Sequence, residues 1–384
     1  MRSRRIAVVG AGMAAARLAQ QLAAHAGPTE TVLHGAEPPY NRTLLADVLA
    51  GRYRADALAL PTGDAKVRTG SEVVAVDVRD RALTLADGSR ETYDELVLAT
   101  GAEPVRPFTG GGYTLRSLAD VARISRHADT ATRAVVIGGG VLGVGTARAL
   151  AARGLPVNIV HKGPHLIDRH LDSKAGDTVH TTLARLGVTV DLASTPDTHI
   201  TPTSADLVVH ACGVRPRTAL ARAAGLPVRR GIVVDDTLAC APHTYAIGDC
   251  AEHRAAPYAL ATTAWEQADV LAARLSGADP EARYTGSRPM TRLTAGPVEY
   301  AAFGACGDAA EEGADVLRIG DATRGAYKKL VLRGDRIVGA ILVGDLATAG
   351  TLTRAYLTGR PVGPDPLSLL TAPLSHRVTE ESRP

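Results

Sequence analysis

The sequence predicts an α/β protein built around two Rossmann-like dinucleotide-binding units, with a smaller α/β region after them. Three observations predict it. "VVGAGMAAARLAQ" (8–20) and "GGGVLGVGTARAL" (138–150) each set spaced glycines between an apolar strand and an alanine-rich helix. The composition includes 39 glycines, which suits many tight strand-to-helix turns. At 384 residues the chain exceeds one ordinary domain, so two or three cores are expected.

The first unit, "RRIAVVGAGMAAARLAQQLAA", runs from a short apolar strand through Gly10, Gly12 and Ala15 into a helix. The first glycine permits the turn, the second lets backbone approach a pyrophosphate, and the small third residue lets helix and strand pack closely. The helix start then offers unpaired N–H groups and a positive dipole end to the phosphates. "SEVVAVDVRDRALTLADGSRETYDELVLATGAEPVRP" reads as a meander with a turn at Asp87-Gly88, then a buried strand ending at Ala99-Thr100-Gly101. The second unit repeats the glycine pattern at Gly138, Gly140 and Gly143 and reaches its second strand near Val160. "ADLVVHACGVRPRTAL", with Gly213, is the counterpart of the segment around Gly101. In "GIVVDDTLACAPHTYAIGDCAEH", Asp249 follows an apolar strand, placed either to meet a ribityl hydroxyl or phosphate-bound water or to cap a helix. "KKLVLRGDRIVGAILVG" predicts a C-terminal hairpin turning at Gly334-Asp335, and the polar tail "LSHRVTEESRP" is expected to fray.

Composition excludes several functions. Apolar residues make up 45% and charged residues 22%, and a net charge of +3 is too small to point to nucleic acid or an anionic membrane as a partner. The basic and then apolar start imitates a signal peptide, but the glycine spacing, Arg17 and two glutamines argue against one. No stretch reaches the roughly 20 apolar residues that span a bilayer, so a cytoplasmic location is expected. Cys212, Cys240, Cys250 and Cys306 are far apart and offer no metal, iron–sulfur or dithiol spacing, so no metal is expected.

With "PPYNRTLLADVLAG", "TAWEQADVLAARL", "YTGSRPMTRL" and "TRGAYKKLVLRGDRIVGAILVGD" added, nearly the whole chain resembles the two-dinucleotide-domain FAD/NAD(P)H-dependent pyridine nucleotide-disulfide oxidoreductases. It looks most like the flavin module of bacterial assimilatory nitrite reductase large subunits, and more distantly like ferredoxin and rubredoxin reductases. The resemblance implies a discontinuous FAD domain (1–107 and 229–285), an inserted NAD(P)H domain (108–228) and a C-terminal α/β cap (286–384). It assigns the FAD pyrophosphate to Gly10, Gly12 and Ala15, with Arg42 as a bidentate cation, and brings Thr100-Gly101 and Asp249 to the flavin. Glu37 stands in for the ribose acid, displaced by one position because Ala36 occupies the usual place. Trp265, Glu266 and Gln267 would flank the flavin at a helix start, unless Trp265 is plain core packing.

For the second nucleotide the strand ends in His161-Lys162, with no acid for a ribose 2′-hydroxyl, so NADPH and NADH both stay open and only Lys162 favours NADPH. Many relatives carry glutamate at the position of Gly145, and ferredoxin reductases pair it with lysine at the position of Asp47. Both are absent here, a coherent loss because either partner alone would leave a desolvated charge. Asp47 is expected near the flavin, as a like charge to any acid placed at 145. With no iron–sulfur ligand spacing, electrons are expected to leave the flavin for a separate ferredoxin-like, rubredoxin-like or nitrite-reducing partner, or for a small molecule. The altered position 145 motivates an alternative, a flavin-dependent oxidase or dehydrogenase acting on an organic molecule. A FAD-binding regulatory or assembly subunit is the non-enzymatic reading.

Overall fold

A computed structural model describes residues 3–25, 29–107, 111–195, 205–257, 260–288 and 290–371; the polar tail from 374 lies outside them. One six-stranded sheet has the order Ala239–Ala241, Thr244–Ala246, Glu95–Leu98, Arg4–Val9, Thr29–Gly35, Lys66–Thr69. It is parallel apart from its first pair. A second sheet, all parallel, has the order Val188–Asp191, Val157–Val160, Ala134–Ile137, Leu207–His210, Tyr113–Thr114. The strands of the second sheet therefore fall, in sequence, inside a gap in the first. Glu95–Leu98 and Ala134–Ile137 are buried along their whole length, as expected for central strands with helices on both faces.

The two units repeat one local construction. Gly10 N donates to His34 O at 2.8 Å and Ala99 N to Val9 O at 2.8 Å; Gly138 N donates to Val160 O at 2.9 Å and Ala211 N to Ile137 O at 2.7 Å. Each glycine turn is thus stitched to the ends of both neighbouring strands. A Cβ at Gly10 would lie 2.1 Å from Ala99 O, and one at Gly138 would lie 2.4 Å from Ala211 O. Gly143 is tighter still, its Cβ falling 1.8 Å from Gly138 O. Ala15, at the corresponding place in the first unit, is fully buried, so one methyl is tolerated there.

The meander Val73–Asp77, Ala82–Leu85, Arg90–Thr92 is antiparallel and turns at Asp87-Gly88, where Gly88 has φ +83°. The C-terminal region is a five-stranded antiparallel sheet, ordered Met290–Ala295, Val298–Gly304, Arg336–Val343, Ala326–Arg333, Asp315–Asp321, with the helix Ala349–Thr358. Its hairpin turns at Gly334-Asp335. Among the described residues, no helix is long and apolar enough to cross a membrane.

This sheet packs on the helix Ser173–Arg185 of the second unit through a shared apolar cluster that includes Val179, Leu183, Tyr300 and Ile341. A buried charge network crosses the same junction. Lys329, fully buried, reaches Asp172 at 3.0 Å, Glu311 at 2.7 Å and Cys306 O at 2.9 Å. Asp172 also accepts from Tyr327 Oη at 2.8 Å and caps the helix through Ala175 N at 2.9 Å. Arg318 and Lys329 together hold the Glu311 carboxyl down at about 2.

Lys329→Met is expected to cost about 3–5 kcal/mol in chemical denaturation, because it strands the buried Asp172 charge; a cost below about 1 kcal/mol would mean the network carries no net stability. The Glu311 carboxyl is depressed on folding, so its stabilisation is present above the unfolded carboxyl range and lost as pH falls through about 4 toward about 2. Thermal melts between pH 6 and 3 should show this acid loss, and Glu311→Gln should flatten it.

Candidate functional site

A cleft of roughly 2310 Å³ opens where the two units and the C-terminal region meet. The first glycine turn lines it through Gly10 and Gly12, with Glu37, Arg42, Thr100, Gly101, Asp249 and Trp265 around the same space. The helix after the second glycine turn contributes Val141, Leu142 and Gly145, and the C-terminal region contributes Leu293, Arg292 and Arg354. The helices Met13–Ala24 and Val141–Ala152 start at Gly12 and Gly140 without a capping side chain or an acidic residue in the first turn. Their first N–H groups are left for another acceptor. A Cβ at Gly12 would meet nothing within 4 Å, so the approach is open.

Arg42 is held at the cleft wall by the short turn Arg42–Leu44, whose start Asn41 caps through Thr43 N at 3.0 Å. Among the described residues it makes no hydrogen bond or ion pair; its guanidinium lies 5.5 Å from the centroid of the Tyr40 ring. Burial lowers its pKa, and nearby Arg116 and Arg217 push the same way, against the opposing pull of Tyr40 and Glu37. Such a convergence of cations is costly unless an anion joins it.

Asp249 lies in the short 3-10 turn Gly248–Cys250 and caps no helix. Its carboxylate is ion-paired with Arg116, a residue absent from the sequence-based candidates. Arg116 immediately precedes a capping box in which Ser117 and Asp120 bond reciprocally, a helix-start signal that fixes its position. Gln267 is buried and accepts from Gly248 N at 2.7 Å, bracing the turn that carries Asp249. The helix Ala261–Ser276 presents its uncapped start to the cleft through Leu260, Ala261 and Thr262, and half-buried Trp265 lies one turn further. Glu266 points elsewhere: it is exposed, bonds to Ser287 and does not line the cleft.

Asp47 also departs from expectation. It is 6% exposed, outside the cleft lining, and accepts from Arg148 Nη2 at 2.7 Å, with Arg52 at 3.8 Å. On the five-residue helix Leu45–Leu49 its neighbour Ala46 faces the cleft instead, 3.5 Å from where a Cβ on Gly145 would stand. The wall here is Leu45, Ala46, Val141, Leu142 and Gly145, without a charged group from Asp47. In the second unit, Gly138, Gly140, Gly143, His161 and Lys162 gather at the strand ends outside the cleft lining; His161 is buried and Lys162 exposed. Gly213 follows the strand Leu207–His210 with φ +93°, as Gly101 follows its own strand with φ +70°.

Burial pushes all four thiols up, Cys240 to about 12 and Cys306 to about 11, so none is a ready thiolate.

Residues 4–268 match the profile of the pyridine nucleotide-disulphide oxidoreductase family, and residues 289–357 that of the rubredoxin NAD+ reductase C-terminal domain. The chain is 35% identical over 381 residues to nitrite reductase [NAD(P)H] of Bacillus subtilis, covering 92% of this chain and 47% of that protein. It is 32% identical over 391 residues to the assimilatory nitrate reductase electron transfer subunit of the same organism, covering 94% and 50%. The chain thus spans about half the length of these relatives. Among solved structures, the putidaredoxin reductase–putidaredoxin covalent complex superposes with a TM-score of 0.82 at 24% identity, covering 94% of this chain and 95% of that one. The NADH:rubredoxin oxidoreductase of Clostridium acetobutylicum gives 0.77 at 24%, covering 95% and 98%. These likenesses show the fold.

Gly145→Ala should stabilise the protein by up to about 1 kcal/mol, because the glycine sits inside a helix and the added methyl finds an ordinary contact. Urea denaturation of the two proteins side by side is the measurement, and a loss of stability would show that the cleft wall needs the gap.

Proposed function

The chain belongs to the pyridine nucleotide-disulphide oxidoreductase family, and from that premise we propose that it binds FAD at the first glycine turn and NADPH or NADH at the second, and passes electrons from the nicotinamide through the flavin to a separate acceptor. The observation that carries the reading is the shared cleft: one wall is the first glycine turn, and another is the start of the helix that follows the second. We assign residues 1–107 and 229–285 to the flavin domain and 108–228 to the nucleotide domain.

The residues fit the flavin nucleotide. Arg42 is a half-buried cation that, among the described residues, makes no ion pair although Glu37 lies nearby, and the turn at Gly12 leaves open room beside bare helix N–H groups. These groups would hold the pyrophosphate, with Arg116 beside them and Thr100-Gly101 along the flavin edge. Asp249 would accept from a ribityl hydroxyl while the ion pair with Arg116 holds its carboxylate in place. Bound there, FAD supplies exchange between two-electron and one-electron chemistry. The uncapped start of the helix Ala261–Ser276 favours negative charge at the inner end of the cleft, and Trp265 excludes water beside it. Leu45, Ala46 and Leu142 offer the nicotinamide an apolar face, so transfer would depend on positioning.

The thiols and the relatives both support an outside acceptor. Four separated cysteines with raised pKa values give no internal dithiol relay, which supports an outside acceptor. Relatives named as electron transfer subunit and rubredoxin-NAD(+) reductase support a small redox protein in that role; a small molecule at the flavin face would satisfy the same chemistry.

Purified protein should carry one FAD per chain, and anaerobic NADH or NADPH should bleach it within minutes. Bleaching by an organic donor and by neither nucleotide would replace the reductase with a flavin-dependent dehydrogenase. Arg42→Met should weaken FAD retention by roughly tenfold or more, through loss of a charge-assisted bond, while leaving the flavin-free protein no less stable in a thermal melt.

A further inference from the structure

We propose that Asp168 selects the nicotinamide nucleotide by accepting hydrogen bonds from the adenosine ribose hydroxyls, so that the second site takes NADH in preference to NADPH. This rests on the reading of residues 108–228 as the nucleotide domain.

In such a unit the adenosine ribose lies beside the end of the second strand, where a carboxylate accepts from its hydroxyls and a cation takes a 2′-phosphate. The second strand here, Val157–Val160, pairs with the central strand Ala134–Ile137 and runs into His161. The imidazole is 6% exposed and lies against the glycine turn, since a Cβ at Gly139 would stand 2.8 Å from its Cγ. Burial holds the His161 pKa below its ordinary value, so the ring is neutral at neutral pH and contributes no charge of either sign. It fills the place of the strand-end acid without doing that acid's chemistry.

A carboxylate arrives from further along the chain. Ile167 N donates to Gly139 O at 2.8 Å, strapping the segment around it to the glycine turn. Asp168 then stands at the edge of the imidazole, its Oδ1 3.5 Å from His161 Nε2. Gly163 makes the room, because a Cβ there would fall 2.3 Å from Asp168 Oδ2. At 3.5 Å the imidazole contact is too long for a good hydrogen bond, and the Asp168 side chain is 28% exposed, so its oxygens retain acceptor capacity. Among the described residues Asp168 has no lysine or arginine ion pair. Lys162 and Arg169 are exposed, whereas the carboxylate is half-buried and packs over Gly163. A 2′-phosphate at this strand end would meet a like charge in a half-buried setting.

The test is calorimetric binding of ADP-ribose and 2′-phospho-ADP-ribose to the FAD-loaded protein, which needs no turnover. ADP-ribose should bind at least about tenfold more tightly. Asp168→Asn keeps the shape and removes the charge, and should bring the two affinities within about threefold, with FAD content and melting temperature unchanged. Equal binding of both ligands by the unaltered protein, tighter binding of the phosphorylated one, or an unchanged ratio in the variant would overturn the assignment while leaving the reductase reading intact. Binding of neither ligand would overturn the reading of the nucleotide domain and this inference with it.

Discussion

The room that glycine leaves where a helix start meets two strand ends is the constraint on which the rest of the structure depends. A Cβ at Gly143 would fall 1.8 Å from Gly138 O, and one at Gly10 2.1 Å from Ala99 O. Any larger residue would push the helix off the sheet and take its N–H groups away from the cleft. The same closeness ties the glycine turns to segments far away in sequence. Ala99-Thr100-Gly101 and Ala211-Cys212-Gly213 recur because each supplies the carbonyl against which a glycine turn is pressed, and each continues past it through a glycine with positive φ.

Around this frame the buried Arg148 and the half-buried Arg116 and Arg42 divide into two kinds. Arg148 has its carboxylate, Asp47, and Arg116 has Asp249. Arg42 has the face of Tyr40 and no acid in hydrogen-bonding contact. Paired cations fix elements relative to one another; Arg148 to Asp47 locks the helix Leu45–Leu49 of the first unit onto the helix Val141–Ala152 of the second. A cation with no ion pair of its own, and with Glu37 only nearby, leaves its donors open toward the cleft. Placing both kinds within one cleft lets the protein tolerate several guanidinium groups near each other before its cofactor is bound.

The sequence showed the frame but not the pairings. Glycine spacing, strand periodicity, the turns at Asp87-Gly88 and Gly334-Asp335 and the second strand ending near Val160 all depend on neighbours a few residues apart, and all were readable. Arg116 with Asp249, Arg148 with Asp47, and Lys329 with Asp172 join residues more than a hundred positions apart. No local pattern marks them. Glu266 illustrates the limit in another way. Its place near a helix start was legible, but whether it faces the cleft depends on the helix's rotation, which buried Gln267 fixes by bonding to Gly248 N and which leaves Glu266 toward Ser287.

The same limit reshapes the meaning of Gly145. Read along the chain, Asp47 looks like a stray negative charge beside the missing glutamate, so an acid restored at 145 would face repulsion. In the fold Asp47 is turned onto Arg148, with Arg52 nearby, and Ala46 is the residue that meets Gly145. The carboxylate is thus neutralised behind the wall, and the wall itself is small and apolar. In place of the charged pair that the resemblance implied at 47 and 145, the chain has Asp47 with Arg148, behind the wall and joining the helices Leu45–Leu49 and Val141–Ala152. Asp47 and Arg148 join these two helices behind the wall, and at 145 the wall itself offers shape and apolar contact rather than charge.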